Sequence, residues 1–154
     1  MTLTILRFLK QFLQWREPPQ RTVSLFLSGN KSVIAQVVEH SENIAITIIT
    51  VQEIFNGWNG KLNDPRQANN LSNLYTKLWK TTEFFKIITI LNFDRDAEAC
   101  YNNLRQNNSN LVKKKLEKDL RIASIALMQR AIVVTRNHKD FSQVPNLQLK
   151  NWVD

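Results

Sequence analysis

The sequence predicts an α/β domain of three layers, with helices covering both faces of a short, mostly parallel sheet. Ile44–Ile49 is an almost unbroken apolar run rich in β-branched residues, the mark of a strand buried on both faces. Two further apolar runs, Ile87–Phe93 and Ala131–Thr135, read the same way. Between them, apolar residues recur every three to four positions, which is helical spacing. The 154 residues suffice for one domain with a substantial core, and 43% hydrophobic with 22% charged residues is ordinary for a globular chain. Only 3 Gly and 4 Pro argue against low complexity or a long flexible linker.

Taken in order, Met1–Leu6 alternates and reads as a short edge strand. Phe8, Leu9, Phe12 and Leu13 then follow a helical period, which Pro18-Pro19 would end. We therefore divide the chain into an N-terminal segment, 1–23, and a domain, 24–154. Asn30–His40 predicts a helix capped by Ser32, with Val33, Ile34, Val37 and Val38 as its buried stripe. After the Ile44–Ile49 strand, Thr50 is placed to cap the next helix. Glu53 stands three residues on, in capping-box spacing, so it has a structural explanation as well as a functional one. Asn56–Asn70 reads as a loop and a helix start. Leu71–Phe85 predicts a helix whose Leu71, Leu74, Leu78, Trp79, Phe84 and Phe85 fall at helical spacing, the aromatics as core or a partner-helix groove. Asp94 suits the cap of a helix from about Asp96 to Arg105, a structural role for both acids, and Gln106–Asn110 is a loop. Asp119 opens an alanine-rich helix reaching Leu127; the strand Ala131–Thr135 then runs into Arg136-Asn137 and Asp140-Phe141. A strand ending in polar and acidic side chains, beside a helix begun by an acid, gathers carboxylates at one edge of a sheet.

The formal charge of +8 and pI near 9.9 favour a polyanion, nucleic acid first, or else an acidic protein partner. Lys113-Lys114-Lys115 and Lys118 crowd the approach to Asp119, either as a solvated face or as a grip on phosphates. Cys100 is alone, which excludes an internal disulfide or a cysteine metal cluster and fits a reducing cytoplasm. No apolar run approaches the roughly 20 residues that span a bilayer. Met1–Trp15 is amphipathic and basic but lacks a small-residue cleavage site; a membrane-surface or nucleic-acid adaptor led by it is one alternative. His40 and His138 lack metal spacing, and no Gly-rich phosphate loop or serine elbow occurs.

The stretches DLRIASIAL (Asp119–Leu127), VVTRNHKDFSQVPNLQLKNW (Val133–Trp152) and IAITIITVQEIFNGW (Ile44–Trp58) resemble PIN domains of the VapC type. These are the toxin ribonucleases of bacterial toxin–antitoxin pairs. The likeness covers Ser24 to Trp152. It implies a PIN-like fold and a Mg²⁺-dependent endoribonuclease, with Mn²⁺ as the substitute ion. It also implies an RNA substrate, a cognate antitoxin, a homodimer and a cytoplasmic setting. Of the acidic quartet it implies, the second acid maps to Glu53 and the third to Asp119. The fourth falls on Asn137, with Asp140 a short turn further on. Glu53, Asp119 and Asn137 would hold the metal, and Asp140 would complete the catalytic set. Arg136, Lys114, Lys115 and Lys118 would meet the RNA backbone. Counting back from Gly29, the first acid would stand at Pro19, Gln20 or Arg21, and it has no counterpart. That departure keeps a second reading open: a PIN-fold protein with impaired catalysis, a binding module or decayed toxin. The chemistry itself is simple. Phosphodiester hydrolysis needs an activated water and relief of phosphate charge, which a hard divalent ion supplies; clustered carboxylates make sense only around a cation.

Overall fold

The protein's computed structural model describes residues 5–8, 44–86, 88–135 and 137–150. Strands β1 (Ile5–Phe8), β2 (Ile44–Thr47), β3 (Thr89–Leu91), β4 (Ala131–Val134) and β5 (Leu149–Lys150) form one sheet in the order β3-β2-β1-β4-β5. Helices α1 (Ile48–Leu62), α2 (Leu71–Phe85), α3 (Arg95–Asn107), α4 (Glu117–Met128) and the one-turn α5 (His138–Phe141) complete the described elements, together with short 3₁₀ turns.

Every residue of β2 and β4 is buried, as a strand covered on both faces requires. Successive side chains divide between the faces. Val133 packs with Leu120, Ile125 and Tyr101 from α4 and α3; Val134 packs with Ile54, Trp58 and Phe84 from α1 and α2. Two separate apolar clusters result, one on each side of the sheet, which is the expected three-layer arrangement. No helix among the described residues is long and apolar enough to cross a membrane.

β2 pairs parallel with β3, and β4 parallel with β5. β1 lies between β2 and β4 and runs antiparallel to both, with Ile5 opposite Ile46 and Val134, and Arg7 opposite Ile44 and Ile132. Four strands thus share a direction and the fifth opposes them. The expectation for the N-terminus is corrected on two points. The strand is described over Ile5–Phe8, so it runs past the expected end at Leu6 (residues 1–4 lie outside the described residues), and it is the centre of the sheet rather than an edge. Its backbone groups are paired on both sides, which no edge strand achieves. The expected helices at Phe8–Leu13 and Asn30–His40, and the boundary at residue 23, lie outside the described residues apart from Phe8, which is in β1.

Other elements shift by a few residues for identifiable reasons. The strand expected over Ile44–Ile49 stops at Thr47, because Thr47 itself is the N-cap of α1. Its hydroxyl oxygen accepts from the Thr50 N–H at 3.1 Å. Thr50 is therefore inside the first turn, and Glu53 is not a capping-box residue: the box position three residues after the cap is Thr50. α1 runs on through Gly57 and Gly60 to Leu62, where a loop was expected; packing of Ile54 and Trp58 outweighs the cost of glycine in a helix. α2 has the expected bounds. Leu74 and Phe84 are buried as expected, but Trp79 is 61% exposed and Leu71 40%, so the core reading fails for both. Asp94 caps α3 by accepting from the Ala97 N–H at 2.9 Å, which is the structural role expected of it. β3 is shorter than Ile87–Phe93 and mostly exposed, as befits a strand at the end of the sheet.

Candidate active site

The C-terminal ends of β2 and β4 lie at the same edge of the sheet, since both oppose β1. From that edge β2 leads into α1 and β4 into α5. This is where ligands of open α/β sheets are bound. Because β1 is antiparallel, the chain enters the sheet at this edge, through Ile5, rather than leaving it there. The β1 sequence, ILRF, has no acidic residue.

Three elements bring side chains to this edge. Beyond β4, Thr135 is fully buried and its hydroxyl oxygen accepts from the Asn137 N–H at 3.0 Å, closing a tight side-chain turn. This turn aims Asn137 back toward α4. The Asn137 Nδ2 donates to Asp119 Oδ2 at 2.9 Å and to Asp140 Oδ2 at 3.0 Å, so one amide bridges two carboxylates. Asp140 stands on α5, a single turn too short to persist unaided. Phe141, fully buried against the α3–α4 cluster, holds it in place. Asp119 lies in the first turn of α4, where the positive end of the helix dipole favours a carboxylate. A 3₁₀ turn over Lys114–Leu116 leads in, with Leu116 buried as its anchor.

Despite that helix end, the Asp119 carboxyl is pushed up to about 6. Burial is the largest cause. The negative charges of Asp140 and then Glu53 add to it; the Asn137 hydrogen bond and the Lys118 charge oppose it without cancelling it. Glu53, in the second turn of α1, thus joins the cluster through its charge. Its direct partner is Lys118, whose Nζ is 3.5 Å from Glu53 Oε1. Lys115 Nζ stands 3.6 Å from Asp140 Oδ1, an oxygen shielded from solvent and without a hydrogen bond.

Glu53, Asp119, Asn137 and Asp140, chosen from sequence, therefore converge, from positions up to 87 residues apart. Lys115 and Lys118 also arrive, but as partners of the acids rather than on a separate phosphate-binding face. Lys114 is exposed and forms no ion pair among the described residues. Arg136 lies outside the described residues. No local sequence signal marks the lysine pairing, because the partners, Asp140 and Glu53, are distant along the chain.

Hard oxygen donors gathered at one sheet edge suit a hard divalent ion by chemistry, and the buried Asp140 oxygen that lacks a hydrogen bond is the kind of atom such an ion would satisfy. Mg²⁺ keeps several waters and needs only one or two carboxylates, so Asp119 and Asp140 with Glu53 nearby fit it by chemistry. They are not a ready-made cage. Among the described residues no three His, Cys, Asp or Glu side chains stand close enough to share an ion in this arrangement.

A three-layer α/β domain with carboxylates gathered beyond the strand ends defines a PIN-like domain. The comparisons agree. The chain is 38% identical over 72 residues to Ribonuclease VapC2 of Rickettsia felis, an alignment covering 45% of this chain and 52% of that protein. It thus spans about half the length of the curated relative it matches. Its fold superposes on VapBC2 from Rickettsia felis, bound to a DNA fragment from their promoter, with a TM-score of 0.62 and 26% identity over 84% of this chain and 92% of that one. It also superposes on DNA-bound VapBC from Salmonella typhimurium, with a TM-score of 0.64 and 17% identity, over 90% and 99% of the two chains. VapBC-1 from nontypeable Haemophilus influenzae gives a TM-score of 0.62 and 19% identity over 86% and 95%. At such identities the last two speak for the fold alone. No protein-family model matches. In sequence and fold together, the chain is similar to PIN-domain proteins of the VapC type, and its fold is PIN-like.

Proposed function

We propose that this protein is a VapC-like endoribonuclease that cleaves RNA with the help of Mg²⁺ or Mn²⁺. The observation that carries the reading is the convergence of Asp119, Asp140 and Glu53 on one sheet edge, close enough that the charges of the other two raise Asp119. Asp119, with Asp140, would hold the ion, and Glu53 would complete the outer side. When bound, the ion supplies charge relief on the phosphate and an acidified water. The chain's own contributions are positional. Thr135 fixes the turn that sets Asn137, and Asn137 holds Asp119 and Asp140 at a fixed separation. Lys114, exposed beside the cluster, offers a point charge to the RNA backbone. A cytoplasmic setting, an antitoxin partner and a homodimer accompany this reading, on the likeness to VapBC proteins.

A second reading, a PIN-fold protein without catalysis, is favoured by one specific feature. The central strand runs opposite to its neighbours and brings no acid to the site edge. The two readings part in one assay. Purified protein is incubated with RNA in Mg²⁺, in EDTA, and as Asp119→Asn. Loss of most of a carboxylate–metal contact worth several kcal/mol predicts a fall in Mg²⁺-dependent cleavage on the order of 100-fold for the variant. Identical RNA profiles in all lanes would leave only the non-catalytic reading.

A further inference from the structure

The acidic cluster contains its own cations. Lys118 Nζ lies 3.5 Å from Glu53, and Lys115 Nζ lies 3.6 Å from Asp140. The carboxylate side chains are 20% and 21% exposed, while the lysines are 50% and 63% exposed. The carboxylates are thus fixed by the fold and the ammoniums reach them from solvent on flexible stems. Both separations exceed the roughly 2.7–2.9 Å of a tight charge-assisted hydrogen bond. Such half-exposed pairs are worth about 0–1 kcal/mol, too little to hold against a divalent ion. Between these two lysines, the Asn137 amide places two further N–H donors against Asp119 and Asp140. Each of the three carboxylates therefore has a nitrogen donor where a PIN-type site would present a metal ion.

We propose that Lys118 and Lys115 are tethered counter-cations of this site, so that a divalent ion binds only by displacing the Lys118 ammonium from Glu53 and the Lys115 ammonium from Asp140. This rests on the metal-site reading above and adds how that site is regulated. The displaced ammoniums swing outward by the length of a lysine stem and remain close by. Once freed, they are positioned for the phosphates of RNA, so metal and substrate binding are coupled. In the ion's absence the lysines keep the like charges of Glu53, Asp119 and Asp140 from opposing the fold unscreened.

The test is calorimetric titration of MnCl₂ into the 154-residue chain at fixed ionic strength, comparing the wild type with Lys118→Met, Lys115→Met, the double variant, Lys118→Arg, Lys114→Met and Asp119→Asn. A pair worth up to about 1 kcal/mol predicts about fivefold tighter Mn²⁺ binding for each Met variant at 115 or 118, and more for the double variant. Lys118→Arg keeps a cation and should stay near wild type. Lys114→Met removes the same charge without breaking a pair and should change affinity by less than about twofold, the size of a screened surface effect. Saturable binding only in the double variant would also support the proposal, the lysines then masking the site. Equal affinities for Lys118→Met, Lys115→Met and Lys114→Met would overturn it while leaving the metal site standing. Weaker binding in Lys118→Met would overturn it too, since the lysine would then be organising Glu53. No saturable heat in any protein would remove the metal reading and the proposal together. Thermal unfolding in EDTA supplies a second readout: Lys118→Met should lose stability that MnCl₂ restores, whereas an ordinary lost surface pair would show no such rescue.

Discussion

The two sides of the candidate site are built by different physics. On the α4–α5 side, Asp119, Asn137 and Asp140 are joined by direct hydrogen bonds of 2.9 and 3.0 Å and anchored by the buried Phe141. On the α1 side, Glu53 communicates through charge and through a lysine at 3.5 Å. Hydrogen bonds to charged groups are short-ranged and directional, so the first side is geometrically set. An exposed ammonium on a four-carbon stem is neither, so the second side is adjustable. On the proposed metal reading, the rigid side would fix where an ion sits, and the adjustable side would decide whether it enters.

This contrast is most severely broken at its anchor. Phe141→Ala removes a fully buried ring beneath the one-turn α5, and urea unfolding should show a loss of about 3–5 kcal/mol. Asp140 would lose its fixed position with it. Asn137→Asp attacks the bridge instead. It replaces a shared donor with another negative charge, and in EDTA it should cost about 1–3 kcal/mol, measured the same way. Added MnCl₂ should recover part of that loss, because the quartet position regains a carboxylate.

Asp119 allows a pH test with a definite sign. Its folded value, about 6, lies above the 3.8 of an ordinary Asp, so the folded chain holds this proton more tightly than the unfolded chain. The contribution is favourable below about pH 4 and is lost as pH rises through about 6. In EDTA, Asp119→Asn should therefore be more stable than wild type at pH 7. The gap should close by about 1–2 kcal/mol as pH falls to 4, a figure discounted for solvent screening of a part-exposed group. The smallest effect is expected on the adjustable side. Thr47→Val keeps the strand but removes the cap of α1, and should cost about 1 kcal/mol in urea unfolding.

Much of the rigid side was legible in the sequence. A helix with Asp119 in its first turn, a β-branched strand, and Thr135, Asn137 and Asp140 in close succession can meet in few ways once the strand is buried. The buried strand β4 and the helix bounds of α2 follow from periodicity alone. What escaped were features set by competition between neighbours. Thr50 suits a cap by residue type, but the helix starts at the earlier Thr47, and Ile49 within its first turn is buried against the α3–α4 cluster. Trp79 fits a helical stripe, but the stripe it shares with Leu71 and Tyr75 faces outward from the described core. The direction of β1 was illegible for a different reason. A short isolated strand such as Ile5–Phe8 carries no signal of orientation in its sequence, and only its two partners determine it. The lysine pairing was hidden because a basic run is ambiguous until its neighbours are known in space.

The account stands on divalent-ion binding beside the Asn137 bridge. Crystals of the protein soaked in MnCl₂ and measured at the manganese absorption edge address it directly. The account predicts one anomalous peak within ligand distance of Asp119, with the Lys115 and Lys118 ammoniums moved away from their carboxylates. Full occupancy of Mn²⁺ elsewhere on the surface with no peak near Asp119, and both lysines still paired, would contradict it.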